Sequence, residues 1–211
     1  MIPGADDLST LVDPAELAAL DGDRAQMRHD VRLPFSAAEF GFWYDKVAVQ
    51  RERRGEVLLV VEREDGDVLL HTKTQYPVGG WRLLSGGIRY GEEVLEALVR
   101  EVREETGVSD APFDYLGWIA YDLRHGRGRL AFASYLFRVR IGDAKPQVTD
   151  PKEAISGFRW VAPDTLDAVA QRLRSVAPAW RDWGAFRAVG HEFAKQRLLE
   201  AVAEGEDPAV R

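Results

Sequence analysis

The sequence predicts an α/β protein, an α/β/α sandwich around a mixed β-sheet with an N-terminal helical extension and a C-terminal helix. Short runs rich in β-forming residues, such as 57–61, are separated by turn signals. Longer stretches with apolar residues at helical spacing stand before, between and after these runs. Helices can therefore cover both faces of one sheet.

Two helices are predicted near the N-terminus. Asp13 and Pro14 suit the cap and first position of a short helix. Ser36 and Glu39 resemble a capping box for a second helix, near 36–45. Its aromatic residues follow helical spacing: Phe40, Trp43 and Tyr44. We expect this face to pack against the main domain or a second subunit, which makes a homodimer one prediction. The rest of residues 1–35 gives no clear assignment.

The predicted strands are bounded by turn residues, and Asp65-Gly66 is a strong hairpin signal. They are 57–61, 68–71, 81–84, 115–122, 130–141 and 157–161, with the turn between the fourth and fifth at 124–129.

Three further helices are predicted. The first runs from Glu92 to Thr106 and stops at Gly107, a helix C-cap residue. The second extends from Pro163 to about Val176, and the last from about Trp183 to Val202. The polar tail from Glu204 is expected to be frayed. The predicted organisation is an extension over 1–45, a main domain over 46–176, and a C-terminal helix and tail over 177–211.

The amino-acid composition excludes several classes of function. A hydrophobic content of 45% supports a real core, and the formal net charge is −7. This acidity argues against nonspecific nucleic-acid binding, which needs a basic face, but it does not exclude a nucleotide substrate. The chain has no cysteine, so thiolate metal sites and a cysteine nucleophile are excluded. No signal peptide and no membrane-spanning apolar stretch are visible, so a cytoplasmic protein is expected.

Three carboxylates crowd the end of the predicted helix over 92–106. Glu101, Glu104 and Glu105 lie three and four residues apart and therefore share one helix face. A charge-rich helix usually presents a solvated face, but such a helix would carry Lys or Arg in its final turn, where the dipole disfavours acids. A divalent cation such as Mg²⁺ (or Mn²⁺) is the natural compensation, because it takes carboxylate oxygens.

These glutamates belong to a longer gapped pattern between Gly86 and Val108. Its fixed positions are Gly86, Glu92, Arg100, Glu101, Glu104, Glu105 and Gly107. The segment resembles the Nudix box and matches it at every fixed position. The resemblance implies a Nudix fold and metal-dependent hydrolysis of a diphosphate bond in a nucleoside diphosphate linked to another group.

The resemblance also implies roles for single residues. The metal ligands would be Glu101, Glu104, Glu105 and the main-chain carbonyl of Ser85, which precedes the first glycine of the box. Arg100 would orient a ligand carboxylate. Glu92 would either stabilise the junction of loop and helix or assist a metal-bound water, so it counts among the catalytic candidates with Glu104 and Arg100.

A catalytic base outside the box is also implied by the resemblance. Relatives place a Glu several residues before a strand that ends in an aromatic residue. Glu153 lies seven residues before Trp160, on the loop before the last predicted strand. Glu153 is therefore the candidate for general base or additional metal ligand, although loop acids are usually just solvated.

Candidates for substrate contact are less specific. Arginines can bind phosphate oxygens, and Tyr76 or Trp81 could stack on a base. The arginine candidates are Arg82 and Arg89, which flank the start of the box, and Arg124 and Arg127, which crowd one turn with His125 and Arg129. An exposed basic turn and core aromatic packing are the competing interpretations.

Three functions remain open from the sequence. The first is a hydrolase acting on a small nucleotide substrate, with Mg²⁺ or Mn²⁺ as cofactor. The second is a non-catalytic Nudix module that senses a nucleotide, which the intact box argues against. The third is a partner-binding protein using the aromatic face of the 36–45 helix. The missing cysteine counts against the isoprenoid diphosphate isomerases, which share the fold.

Overall fold

A seven-stranded mixed sheet forms the middle layer of the protein, with strand order β1-β5-β6-β2-β4-β3-β7. The computed structural model describes residues 7–21 and 27–203, so the predicted tail from Glu204 lies outside the described residues. The strands are β1 (Arg28–Pro34), β2 (Gly55–Glu62), β3 (Val68–Lys73), β4 (Arg82–Ile88), β5 (Phe113–His125), β6 (Gly128–Arg140) and β7 (Ile155–Val161). The helices are α1 (Pro14–Asp21), α2 (Ala37–Tyr44), α3 (Val94–Thr106), α4 (Leu166–Arg174) and α5 (Arg181–Ala203).

Helices pack on both sides of the sheet, which confirms the predicted sandwich. Strand β2 is buried along its whole length and pairs parallel to β6 and antiparallel to β4. Helix α3 packs on β2 and β4, and α5 packs on β1, β4 and β5. A strand that is covered on both faces reads as a continuous apolar run, which is why 57–61 was recognisable from sequence.

Strand β1 was not predicted. Its sequence alternates basic, acidic and apolar residues, and most of its residues are exposed. It pairs parallel to β5 at one edge of the sheet. An edge strand with one solvated side gives only a weak apolar signal, and its partner β5 lies about ninety residues further along the chain.

Predicted strand ends differ from the structure at two places that contain turn-type residues. Strand β4 does not stop at Leu84 but continues through Ser85-Gly86-Gly87, where Gly86 pairs with Val57 of β2. The β5–β6 hairpin is also longer than predicted: Arg124 and Arg129 pair within the strands, and His125 pairs with Gly128. Turn-type residues are therefore part of regular strands at both places, because pairing with a neighbouring strand outweighs local preference.

Helix α2 packs against β6 and α5 of the same chain. The Ser36 hydroxyl accepts a hydrogen bond from the Glu39 amide at 3.3 Å, which confirms the predicted cap. The Glu39 carboxylate instead accepts from Trp43 Nε1 at 3.0 Å. The Trp43 ring is buried against Phe132 and Phe186, with both ring-centre distances at 4.9 Å. The expectation that α2 packs against the main domain is thus fulfilled within one chain.

Helix α5 is joined to β4 by a buried histidine. His191 Nε2 accepts a hydrogen bond from the Leu83 amide at 2.9 Å, and His191 Nδ1 lies 2.9 Å from the carbonyl of Arg187, to which it donates in the neutral tautomer. Burial lowers the pKa of His191 to about 4, and the neighbouring Arg82 and Arg187 guanidinium groups act in the same direction. His191 is therefore neutral in the folded protein and joins a helix to the central sheet.

None of the helices within 7–21 and 27–203 combines the length and the apolar character that crossing a bilayer would require.

We predict that acid weakens the fold through His191. Its pKa is near 6.5 in the unfolded chain and about 4 when folded, so its neutral form favours folding above pH 6.5 and this contribution is lost as the pH falls towards 4. Between pH 7 and pH 5 the loss amounts to about 2 kcal/mol of unfolding free energy. Urea unfolding at both pH values measures it.

The matched variant is His191→Gln, whose side-chain oxygen can still accept from the Leu83 amide but does not titrate. Buried His71 also has a pKa well below its ordinary value because of burial and nearby Arg82, so the readout is the difference between the two proteins and not the total slope. Equal losses in wild type and variant would refute the assignment.

Candidate active site

Glu101 lies directly against the backbone of β4. An added Cβ on Gly86 would stand 1.6 Å from the Glu101 side-chain carboxyl carbon. Any other residue at position 86 would have to displace this carboxylate. The first glycine of the box is therefore required because it lets helix α3 bring an acid against the strand.

Glu101, Glu104 and Glu153 meet at one place. Each offers a carboxylate oxygen, and these oxygens all lie within 4.8 Å of one another. Glu101 is buried and the other two are half-buried. We call these residues the carboxylate trio. Oxygen ligands of this kind are what Mg²⁺ and Mn²⁺ take in proteins, so the trio could hold such an ion.

The loop before β7 brings Glu153 to the trio by capping helix α3. The amide of Gln147 donates to the Thr106 carbonyl at 2.8 Å, and the amide of Thr149 donates to the Glu104 carbonyl at 3.0 Å. The last carbonyls of a helix have no partners within the helix, and this loop satisfies two of them. The short turn Pro151–Glu153 follows immediately and places the Glu153 carboxylate beside α3.

Arg100 holds the acids in position. Its guanidinium donates to both Glu92 oxygens at 2.7 and 2.9 Å, to Glu101 at 2.5 Å, to Glu104 at 3.2 Å and to the Gly87 carbonyl at 2.8 Å. Burial alone would lower the pKa of Arg100, but Glu92 and Glu101 outweigh burial and raise it. Arg100 therefore stays charged and positions two members of the trio.

Glu92 closes the loop in front of α3. Besides its two bonds to Arg100, its carboxylate accepts from the Arg89 amide at 2.8 Å. Burial alone would raise the pKa of Glu92, but the Arg100 and Arg89 hydrogen bonds outweigh it, so this pKa is lowered. The geometry thus supports the structural interpretation of Glu92, which fixes the loop to the helix.

Like charges crowd the trio. Burial raises the pKa of Glu101, and Glu153 and Glu104 add to the shift, while Arg100 opposes it. Lys73 Nζ lies 2.5 Å from Glu153 Oε2 and compensates part of this charge. A group of carboxylates in which burial and mutual repulsion both disfavour ionisation is stabilised by a further cation. The donor set therefore fits a divalent metal.

Glu105 stands apart from the trio. It is completely buried, and its Oε1 lies 3.6 Å from Lys73 Nζ and 3.8 Å from His71 Nδ1. Within the described ranges neither of its oxygens has a hydrogen-bond partner. Burial raises the pKa of Glu105 to about 8, although Lys73 and Arg82 oppose the shift. The sequence predicted Glu105 as a metal ligand, and in the structure its carboxylate lies beside Lys73 and His71.

An open cleft of about 750 Å³ lies in front of the trio. Its walls come from β3, β4, α3 and the Glu153 loop, and from α2 and α5 on the other side. The basic residues that line it are Lys46, Arg53, Lys73, Arg82, Arg89, Arg100, Lys152 and Arg187. The aromatic residues are Phe42, Trp43, Tyr76, Trp180 and Trp183.

The floor of the cleft is a buried polar network around Ser85. The Ser85 hydroxyl accepts from Arg82 at 2.9 Å and from Arg187 at 3.2 Å. Arg187 also donates to Glu56 at 2.9 Å, and the Ser134 hydroxyl donates to the same carboxylate at 2.8 Å. Burial alone would raise the pKa of Glu56, but Arg187 and Ser134 outweigh it and lower it. Glu56 is thus a buried anion paired with Arg187.

The structure divides the predicted substrate-contact residues into two groups. Arg82, Arg89 and Tyr76 line the cleft, and the Tyr76 hydroxyl accepts from Arg82 at 2.7 Å. Arg124 and Arg127, together with Arg129, lie at the β5–β6 hairpin and not among the described residues that line the cleft.

Arg124 and Arg129 are neutralised locally. Both pair with Asp122, at 2.7 and 2.9 Å. Asp122 lies two residues from Arg124, so the sequence did contain a signal for this pairing.

Arg53, Trp180, Trp183 and Arg187 are among the cleft residues that sequence reasoning missed. Arg53 precedes β2, and its guanidinium lies against Gly87. Trp180 directly precedes α5, and Trp183 and Arg187 lie in its first two turns, more than seventy residues beyond the box. No local pattern marks them, because their relation to the glutamates depends on how α5 packs across the sheet.

The family model described as NUDIX domain matches residues 52–183 of the chain. The match includes the whole Gly86–Val108 segment and covers more than half of the chain. The chain belongs to the NUDIX domain family, which confirms the resemblance seen in the box.

Relatives with similar sequence are bacterial proteins. The chain is 29% identical over 128 residues to the NAD-capped RNA hydrolase NudC of Pseudomonas aeruginosa, a match covering 61% of this chain and 43% of the relative. It is 33% identical over 131 residues to the RNA pyrophosphohydrolase of Erythrobacter litoralis, covering 55% and 74%. The chain thus spans less than half the length of the NudC relatives.

Solved structures that are similar to this chain include two proteins of low sequence identity. One is the dihydroneopterin triphosphate pyrophosphohydrolase of E. coli, with a TM-score of 0.49 and 15% identity over 71% of this chain and 98% of that chain. The other is the NUDIX domain of Shewanella oneidensis NrtR complexed with ADP ribose, with a TM-score of 0.46 and 21% identity over 78% and 99%.

We predict that Gly86→Ala weakens binding of Mn²⁺. The new Cβ would overlap the Glu101 carboxylate and push it away from the other two members of the trio. A change of this kind next to a ligand should lower the affinity about tenfold or more. Calorimetric titration with Mn²⁺ measures it.

Gly41→Ala is the matched control, because a Cβ at position 41 meets nothing within 4 Å. It should leave the affinity for Mn²⁺ unchanged. If Gly86→Ala also binds Mn²⁺ like wild type, the trio is not the metal site.

Proposed function

We propose that the protein hydrolyses a diphosphate bond in a nucleoside diphosphate derivative, with Mg²⁺ or Mn²⁺ held at the carboxylate trio. The observation that carries this proposal is the convergence of the Glu101, Glu104 and Glu153 oxygens within 4.8 Å at the wall of an open cleft. Family membership and the pyrophosphohydrolase names of several relatives support it.

In this proposal, some residues bind the metal ion and others position the ligand carboxylates. Glu101 and Glu104 are the ligands that the geometry supports best, with the Ser85 main-chain carbonyl completing the predicted set. Arg100 orients both carboxylates, and Glu92 fixes Arg100 in turn. A bound divalent ion would supply an acidified water and neutralise charge on the phosphoryl oxygens. Glu105 belongs to the predicted ligand set, but its carboxylate lies nearest to Lys73 and His71 here.

Glu153 reaches the cleft from the loop before β7, whereas Glu101 and Glu104 reach it from α3. Its position beside Glu101 and Glu104 is compatible with both predicted roles, general base and additional ligand. Lys73, at 2.5 Å, fixes the orientation of its carboxylate. We assign it first as a ligand, because its oxygens belong to the same group as those of the other two glutamates.

The substrate combines a phosphoanhydride with a nucleoside. The names of the relatives describe action on NAD-capped RNA and on RNA as a pyrophosphohydrolase. The net charge of −7 instead favours a small nucleotide over a long nucleic acid. A panel that contains nucleoside triphosphates, dinucleotides, nucleotide sugars and capped RNA, with identification of the products, separates these classes. Binding without turnover across the panel would favour a nucleotide-sensing module.

The homodimer stays a prediction. The prediction assumed that the aromatic face of α2 must be buried against another surface. Trp43 is buried within the chain, whereas Phe42 on the same helix is 54% exposed. Light scattering decides the oligomeric state.

We predict that Glu104→Gln lowers turnover by about two orders of magnitude or more, because it removes a charged ligand from the trio. Folding should be intact, since Glu104 is half-buried and keeps its place on α3. Steady-state kinetics with the best substrate of the panel and Mg²⁺ measure the effect.

Glu64→Gln makes the same chemical change at an exposed site outside the cleft and should keep wild-type turnover. Near-wild-type turnover in Glu104→Gln would contradict the ligand assignment.

We predict that Glu153→Gln lowers the affinity for Mn²⁺ about tenfold, as expected for the loss of a ligand from the trio. Calorimetric titration and kinetics on the same protein separate the two roles of Glu153. Unchanged affinity together with lost turnover would show that it acts as the general base and not as a ligand.

A further inference from the structure

One wall of the cleft comes from the start of helix α5. Trp180 ends the short turn Pro178–Trp180, and α5 begins at the next residue. Trp183 is the last residue of the family match, and Arg187 lies beyond it. All three side chains line the cleft. These three residues lie outside the Gly86–Val108 box, so the resemblance of the box implies no role for this wall.

Aromatic rings that contact one another form part of this wall. The Trp180 and Trp183 rings meet edge to face with their centres 5.6 Å apart, and the Trp183 and Tyr76 ring centres are 4.9 Å apart. Trp183 also packs on the cluster of Ala170, Leu173 and Ala188 between α4 and α5. Contacts with α4 and α5 thus hold the Trp183 ring in place. Both tryptophans are half-buried and line the polar cleft.

Arg187 adds a polar group one turn further along α5. Residues four apart share a helix face, so Trp183 and Arg187 point to the same side. One Arg187 terminal nitrogen is used by Glu56 and Ser85. Its Nε is buried and has no hydrogen-bond partner in the described part of the chain. A buried donor without an acceptor is costly, and a ligand in the cleft that carries an acceptor would satisfy it.

The floor carries surplus positive charge. Arg82 is 3% exposed, and its hydrogen bonds among the described residues go to the Tyr76 hydroxyl, the Leu83 carbonyl and the Ser85 hydroxyl. Glu56 is paired with Arg187, and across residues 7–21 and 27–203 Arg82 forms no ion pair within 4 Å. Within the described residues of the network around Ser85, two guanidinium groups therefore share one carboxylate, Glu56, which favours a ligand with electronegative atoms.

Continuous contacts join this wall to the trio. The Trp183 ring contacts Tyr76, whose hydroxyl accepts from Arg82, and Arg82 donates to Ser85. Ser85 precedes Gly86, against which Glu101 lies. A ligand that reaches from the tryptophans to the glutamates would therefore lie along one surface, with a flat ring at one end and phosphates at the other.

We propose that Trp180, Trp183 and Arg187 form a subsite for the nucleobase of the substrate. The ring stacks on the tryptophans, and Arg187 donates to an acceptor atom at the ring edge. The proposal rests on the proposed function, because it specifies the part of the substrate that lies away from the diphosphate bond. Aromatic stacking of this kind is tolerant of base identity, whereas the bond from Arg187 selects among bases.

Binding without metal tests the subsite apart from hydrolysis. Calorimetric titrations in EDTA compare the four common nucleoside diphosphates with inorganic pyrophosphate, which has no ring. Wild type should bind at least one nucleoside diphosphate about 5- to 100-fold more tightly than pyrophosphate, the range expected for stacking of one base. Trp183→Leu should lose this preference and bind pyrophosphate as wild type does, which also shows that it is folded.

Three further variants sharpen the test. Trp183→Phe keeps a ring and should keep most of the preference. Trp81→Leu is the matched control, because Trp81 is a half-buried tryptophan stacked on Arg159 outside the cleft. Arg187→Lys keeps the charge beside Glu56 but loses Nε, so affinities for the four nucleoside diphosphates should become more alike.

Each outcome decides the proposal. If wild type shows no preference over pyrophosphate, or if Trp183→Leu keeps the preference, there is no nucleobase subsite on α5. If Arg187→Lys weakens pyrophosphate as strongly as the nucleoside diphosphates, Arg187 binds phosphate and not a base. If the preference behaves as expected while no compound of the panel is hydrolysed, the subsite stands and the proposed hydrolase activity falls.

Discussion

The arrangement of the site depends on Arg100. Glu92, Glu101 and Glu104 would repel one another if they met without a cation, and Arg100 donates to all three and to the Gly87 carbonyl. Through these bonds one guanidinium joins the loop after β4, the strand itself and the last turns of α3. A planar group with five donors can satisfy such a set, whereas a lysine at the same position could not reach it.

The end of α3 is completed by a distant segment. Its last carbonyls accept from the amides of Gln147 and Thr149, and this capping brings Glu153 and, through it, Lys73 to the acids of the helix. Lys73 then compensates the charge of two acids, since its Nζ lies 2.5 Å from Glu153 Oε2 and 3.6 Å from Oε1 of buried Glu105. The geometry of the site therefore depends on tertiary packing as much as on the local box.

The sequence predicted what is encoded locally. The box, the α3 boundaries and the buried strand β2 follow from spacing, caps and apolar runs within short windows. Strand β1 and residue Arg187 could not be found this way, because an edge strand is only marginally apolar and Arg187 reaches the cleft by long-range packing. The prediction for Arg124 and Arg127 counted basic residues in a turn and overlooked Asp122, which neutralises Arg124 and Arg129.

In the proposed function, catalysis and substrate selectivity would come from different parts of this chain. Glu101, Glu104 and their support lie within one short segment, and that segment can act only on what every diphosphate shares. The features that distinguish one diphosphate from another are the groups attached to it, and these must meet a surface outside the segment. Helix α5 supplies such a surface with Trp183 and Arg187. The hydrogen bond between the Leu83 amide and His191 joins α5 to β4, the strand that also carries Gly86. A shift of α5 would therefore move the proposed base subsite relative to the glutamates without changing any residue of the box, so the packing of this helix against β4 sets the distance that a substrate has to span.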